Sequence, residues 1–444
     1  MSLRGILFLG SFSVGLVATF FHPAYGIMTY IYEWHNHPPF FWWGDGWPDL
    51  RWSFTPAIIT LASLFLNYSR MRKLPEINVK PVGWLFMFVL NAWMVSKTVA
   101  VFPEASMDKF FELFKVMILF LLMIFIIRDH EYYRMMIWVI IFCVFNFGFT
   151  AWEVGSNRDI GVIAPNATEE NAISAHVVAC LPFFGMYFLR EKNRWLKAFI
   201  AIAIPFCLNL LILANSRSAL IGLGAIGVAA IFLTKGRARF TVIFGIIVGA
   251  VVFVNLTNDD FVERQQTTMD YEEEASAMSR FHIWRGGMEM LKDHPFGVGG
   301  GAFGALSMSY IPEIHEPKTQ HNTYVAVITD WGYIGFFFYM LFLIHITLMT
   351  FRIKRMAKRH PSMEIFHFEA TALQLALLGI SAAGVFHSRQ YAEVVYWLGA
   401  FICMIYNMAN ARLEEVKLEA LEELGELDGS ETSSEMIPNP VPSK

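Results

Sequence analysis

Apolar stretches of roughly twenty residues recur about a dozen times along this chain, and that one feature excludes most folds. A helix needs about 20 residues to cross the hydrocarbon of a bilayer, and there it must satisfy its own backbone hydrogen bonds. The stretches fall at 3–21, 53–67, 82–101, 109–127, 133–152, 171–189, 196–214, 218–234, 239–255, 332–351, 368–386 and 390–408. With 55% hydrophobic and only 16% charged side chains over 444 residues, the chain is too apolar for a soluble domain. The expected fold class is an all-α integral membrane protein of about 12 transmembrane helices with one large extramembrane loop.

Charge sets the orientation. If the N-terminus is cytoplasmic, then SRMRK (69–73), RDHEYYR (128–134), REKNRWLK (190–197), KGRAR (235–239), RIKRMAKRH (352–360) and both tails lie inside. With Lys80, in the same loop as SRMRK, they hold 22 of the 34 Lys and Arg residues, with 10 outside and two, Lys97 and Lys115, within spans. This obeys the positive-inside rule, and an even number of spans with both termini cytoplasmic follows. Arg4 precedes an apolar run as in a signal peptide, but no small-residue cleavage site comes before His22-Pro23, so 3–21 reads as a retained span. Cys143, Cys180, Cys207 and Cys403 all fall inside spans, where they act as small apolar residues; neither disulfides nor a metal site is expected.

Four regions follow: an N-terminal bundle of about nine helices (1–255), an outer loop domain (256–331), C-terminal transmembrane helices (332–408) and an acidic cytoplasmic tail (409–444). The proline- and tryptophan-rich outer segment 22–52 reads as an interfacial hairpin. His35 and His37 in it lack the partner cluster of a zinc site. The loop domain opens acidic, with Asp259, Asp260, Glu263, Asp270, Glu272, Glu273 and Glu274. An amphipathic helix over 279–292 comes next, with Ser279 as N-cap and Phe281, Trp284, Met288 and Leu291 as one apolar stripe lying on the membrane. It ends at Asp293-His294-Pro295, and PFGVGGGAFG supplies a backbone that can approach a ligand closely. The phosphate-loop signature GK[ST] is missing from it.

Arg217, at the outer end of a span, is costly unless it snorkels, pairs or works. Arg280 and Arg285 sit on the amphipathic helix, where a solvated face is the plain alternative. With Lys97 and Lys115 they can form an electropositive pocket, and guanidinium forks suit a diphosphate. His321 is either the polar start of a helix capped by Asn322 or a general base. No paired carboxylates at glycosidase spacing and no nucleotide motif are present. An enzyme built this way, with no cofactor and no metal, must draw on a donor already activated by a diphosphate leaving group.

NSRSAL, then SRFHIW with DHPFGVGGGAF, then QHNTYVAVITDWGYIG, in that order, resemble the O-antigen ligase and polymerase superfamily of bacterial membrane glycosyltransferases. That family carries an Arg-x-x-x-Trp, a His-Pro-x-x-Gly-x-Gly and a His-Asn pair in its large outer loop; the counterparts here are Arg280 to Trp284, His294 to Gly299, and His321-Asn322. GVIAPNATEENAISAHVVACLP is similar to the O-glycosylation ligases associated with exosortase systems, with Ala164-Pro165 where those show Gly-Pro. The resemblance implies a GT-C-type architecture in the bacterial inner membrane, with the loop domain in the periplasm. It also implies an inverting, metal-independent ligase. Arg217 and Arg280, supported by Arg285, would hold the diphosphate of an undecaprenyl-linked glycan. His321 would activate a hydroxyl of a glycan, lipid A core or protein acceptor, with Asn322 and Trp284 as supporting residues beside the pocket lysines Lys97 and Lys115. A polymerase of the same fold is the near alternative, and a transporter or flippase of a lipid-linked glycan the distant one; nucleic acid is no partner.

Overall fold

The computed structural model describes residues 2–48, 50–71, 77, 80–155, 159–257 and 271–434. The expected acidic run at 259–270 and the last ten residues of the tail lie outside them. The described helices are α1 (Leu3–Phe21), α2 (Ala24–His35), α3 (Phe54–Leu66), α4 (Tyr68–Met71), α5 (Lys80–Thr98), α6 (Pro103–Ile126), α7 (His130–Val154) and α8 (Glu170–Arg190). They continue as α9 (Arg194–Ala214), α10 (Arg217–Leu233), α11 (Gly236–Leu256), α12 (Tyr271–Asp293), α13 (Phe303–Tyr310), α14 (Thr323–Ala357), α15 (Glu364–Ala383) and α16 (Glu393–Ser434). Among the described residues no strand forms beyond an isolated bridge between Ala164 and Ala167.

Among the described residues eight segments, α1, α7, α8, α9, α11, α14, Pro361–Ala383 containing α15, and Glu393–Glu422 within α16, are long and apolar enough to cross a membrane. Helices α3 and α10 are apolar but shorter. Local chemistry places many ends: Asp129 and Asn193 accept from backbone amides two residues on, and Asn215 closes α9 in the left-handed region at φ 50°.

The path through the bundle corrects the expected topology. Residues 24–35 are a buried helix antiparallel to α1, not an interfacial hairpin: the Phe8 ring stacks on Tyr32, and a side chain at Gly15 or Gly26 would run into Thr29 or Thr60. The hydroxyl of Ser63 donates to the carbonyl of Thr19 and the Asn67 amide to Phe20, so α3 runs parallel to α1. Arg4 pairs with Glu153 at one end of the bundle, whereas His22 stacks on Tyr132 at the other, with ring centroids 4.0 Å apart. Helix α2, with 12 residues, is not among the segments long and apolar enough to cross a membrane. The start of α1 lies at the end of the bundle opposite the basic segment 128–134. Twelve residues holding Glu33 and His35 gave no hydropathy signal, because their polar groups are paired internally. Nε2 of His35 and Nε2 of His176 lie 3.0 Å apart, His37 pairs with Glu33, and the Tyr30 hydroxyl donates to Glu393 at 3.0 Å.

The expected boundary at 331/332 coincides with a break in α14, where Gly332 takes φ 68° and ψ −176°. A broken helix strands backbone groups that cannot stay unpaired in a bundle. The glycine-rich loop supplies the partners: the amides of Val298 and Gly299 donate to the carbonyls of Thr329 and Asp330 at 2.9 and 3.0 Å. The carbonyl of Pro295 accepts from Tyr333, and the Asn91 amide covers the Trp331 carbonyl at 2.9 Å. The close approach read from the glycines is made here to a neighbouring backbone. Helix α12 also turns a second face inward. Ile283, Met290 and Leu291 are buried with the glycines 286 and 287 against Ile311 and Phe303, while Phe281 and Met288 stay exposed. The tail is no separate unit through residue 434, since α16 continues into it without a break.

Gly332 occupies a backbone region that is essentially closed to other residues, and a Cβ there would collide with Phe296. Gly332→Ala is expected to cost on the order of 3 kcal/mol, read as a lowered unfolding temperature of the detergent-purified protein. Gly245→Ala, where nothing lies within 4 Å of an added Cβ, should leave that temperature unchanged or raise it.

Candidate functional site

Five segments meet at the end of the bundle opposite the basic loops: the start of α10, one face of α12, the strap before α14, the α15–α16 connection, and the segment 159–169. Arg217 begins α10 directly after the left-handed Asn215, with Ser216 as N-cap. Arg280 lies half-buried on α12 with its guanidinium 6.0 Å from the centroid of Phe386. Burial, and then the charge of Arg217, hold the pKa of Arg280 below its usual value. Two guanidiniums are thus brought together, as anion recognition requires.

His321 stands beside them at φ 45°, a left-handed conformation uncommon for a side-chain-bearing residue. The strap on either side of it is tied down. The indole of Trp284 donates to the Gln320 carbonyl at 3.1 Å, and Asn322 caps α14 by accepting from Tyr324 and Val325 at 2.8 and 3.1 Å. The Thr323 amide donates to the Gly384 carbonyl at 2.7 Å and its hydroxyl to the His387 carbonyl at 2.9 Å. Nε2 of His321 is 3.1 Å from the Thr319 hydroxyl. Burial first, then Arg280, then Lys318 hold its pKa below the ordinary histidine value. The imidazole is therefore neutral around pH 7 and able to accept a proton.

The other expected cations do not join this group. Arg285 is exposed and lies roughly 140° around α12 from Arg280 at 100° per residue. Lys97, in the last turn of α5, and Lys115, near the middle of α6, are both exposed on their helices. The α6 lysine that faces the site region is Lys109, which lies 5.1 Å from the Tyr391 ring centroid and pairs with Glu112.

The α15–α16 connection supplies residues that the sequence reading passed over. His387 and Arg389 are 5% and 4% exposed, although each sits in a short gap between two spans. His387 pairs with Glu169 at 3.3 Å. Burial, with Arg389, His321 and Arg280 around it, pushes its pKa down to about 3. Arg389 donates to the Asn166 carbonyl at 3.4 Å, and burial brings its pKa down to about 10. One histidine and one arginine in HSRQY form no recognisable motif, so only folding reveals them. Among the described residues no group of three or more His, Cys, Asp or Glu side chains is arranged to hold a metal ion.

Residues 201–340 match the family model described as O-antigen ligase. The match runs from α9 into α14 and contains Arg217, Arg280, Trp284, His321 and Asn322. Among curated proteins none matches the chain.

The charges around His321 make a titration testable without an assay of turnover. Diethylpyrocarbonate labelling of His321, followed by mass spectrometry across pH, should give a midpoint below that of a free histidine. Removing a nearby cation stabilises imidazolium, so Arg280→Gln and, to a smaller extent, Lys318→Met should raise that midpoint. An unmoved midpoint in both variants would mean that burial alone sets it.

Proposed function

With residues 201–340 in the O-antigen ligase family, we propose that this membrane protein is a glycosyltransferase acting on an undecaprenyl-diphosphate-linked glycan. It passes the glycan to an acceptor hydroxyl at the periplasmic face of the bacterial inner membrane. The observation that carries this reading is the pairing of Arg280 with Arg217 beside a neutral His321. The orientation is supported by the basic segments, which gather at the far end of the bundle, where Arg134 meets Glu191 and Arg190 meets Glu364.

The chemistry follows from what each group can hold. The guanidiniums bind the diphosphate oxygens and take up the charge that grows on them as the glycosidic C–O bond breaks. A His321 ring that donates Nε2–H to Thr319 keeps Nδ1 free to accept the acceptor's proton. The acceptor oxygen attacks the anomeric carbon from the face opposite the diphosphate, and the bond electrons leave with that group. Configuration inverts in a single displacement. Arg217 and Arg280 supply the neutralising charge that a metal would otherwise provide, so turnover should survive chelation with EDTA.

His321→Ala should leave the protein inserted and folded while lowering turnover by about 10²- to 10⁴-fold, with lipid-linked donor accumulating. Product at near-normal levels would remove His321 from the role of base. Arg217→Lys and Arg280→Lys keep the charge but lose the fork; each is expected to cost about tenfold, the loss of one charge-assisted hydrogen bond.

A further inference from the structure

We propose that Asp330 is a positioning residue for His321, acting through the side chain of Gln320; this rests on the reading of His321 as the base. Asp330 is 2% exposed and sits two residues before the break in α14. The break itself does not need its carboxylate, since the stranded carbonyls of Thr329 and Asp330 are paired by the amides of Val298 and Gly299. A buried carboxylate is costly unless donors surround it, so those donors show what it is there to hold.

They come from the two loops that frame the site. Gln320, the residue before His321, is 7% exposed, and its amide donates to Oδ1 of Asp330 at 3.1 Å and to the Thr329 hydroxyl at 3.3 Å. The hydroxyl of Tyr391, two residues after Arg389, donates to Oδ2 at 2.8 Å. A carboxylate is an acceptor on both oxygens, and here each oxygen takes one loop. An amide in its place would present a donor to one of them. Asp330 therefore ties the His321 strap to the His387–Arg389 connection, and the latch falls on the residue next to the left-handed His321.

Gln320→Met removes the latch without changing charge and leaves Asp330 with Tyr391 and Gln390. The purified variant is expected to unfold within several degrees of the wild type and to keep a KM for lipid-linked donor within about twofold, while kcat falls on the order of 10²-fold, as for a catalytic group displaced by about 1 Å. The pH at which the acid limb of the rate falls should not move. The exchanged pair Gln320→Glu with Asp330→Asn keeps a hydrogen bond of reversed polarity and should recover kcat at least tenfold over Gln320→Glu alone. Wild-type kcat in folded Gln320→Met overturns the proposal, as does a kcat loss that only tracks the folded fraction. Should Gln320→Met not fold, the exchanged pair decides: no recovery over Gln320→Glu overturns it. His321→Ala separates the two readings. An active His321→Ala removes the base and the positioning role together, whereas an inactive His321→Ala beside a fully active Gln320→Met removes the positioning role alone.

Discussion

The site depends on the docking of a glycine-rich loop against a broken helix. At Gly332 the hydrogen-bond ladder of α14 is interrupted, and inside a helical bundle such an interruption survives only when other protein groups take over the stranded partners. The amides of Val298 and Gly299, the carbonyl of Pro295 and the side chain of Asn91 do so. Gly297, Gly299 and Gly301 take φ 93°, 89° and 80° along that loop. They let one backbone lie directly on another. Because the loop follows α12 in the chain, docking it fixes α12 against the start of α14, and with it the distance between Arg280 and His321. A local backbone defect thus sets the geometry of side chains that lie a helix away.

That dependence explains which parts were legible beforehand. Long apolar spans declare themselves through length, and ordered short motifs picked out Arg217, Arg280 and His321. Helix α2 did not declare itself, because twelve residues with Glu33 and His35 look polar until their partners on α8 and α16 are known. The inner face of α12 went unread for a related reason. Glycines 286 and 287 contribute no apolar surface to a periodicity count, yet they form the contact face because they allow α12 to come close to Ile311 and Phe303. Arg285 was grouped with Arg280 by nearness in sequence, and the helical rotation between them sends it to solvent. His387 and Arg389 had no spacing to betray them.

The buried polar groups divide into two kinds, and the division bears on function. Within the bundle they pair with one another: His35 with His176, Tyr30 with Glu393, His130 with Glu369, and Lys354 with Gln374. Such internal pairing meets the cost of burial within the protein.

At the site end like charges also stand together. Arg280 rests over an aromatic ring, and after burial it is the charge of a second guanidinium that disfavours its own. His387 and His321 are both pushed toward the neutral form by the same cations. A protein gains no stability from holding like charges together at a half-buried surface. The arrangement is favourable once an anion with two or more accepting oxygens enters, since the Arg280–Arg217 repulsion then becomes attraction to a shared ligand. The same cations that would attract the anion hold the pKa of the neighbouring imidazole down, so on the proposed reading diphosphate clamp and base are prepared by one set of charges.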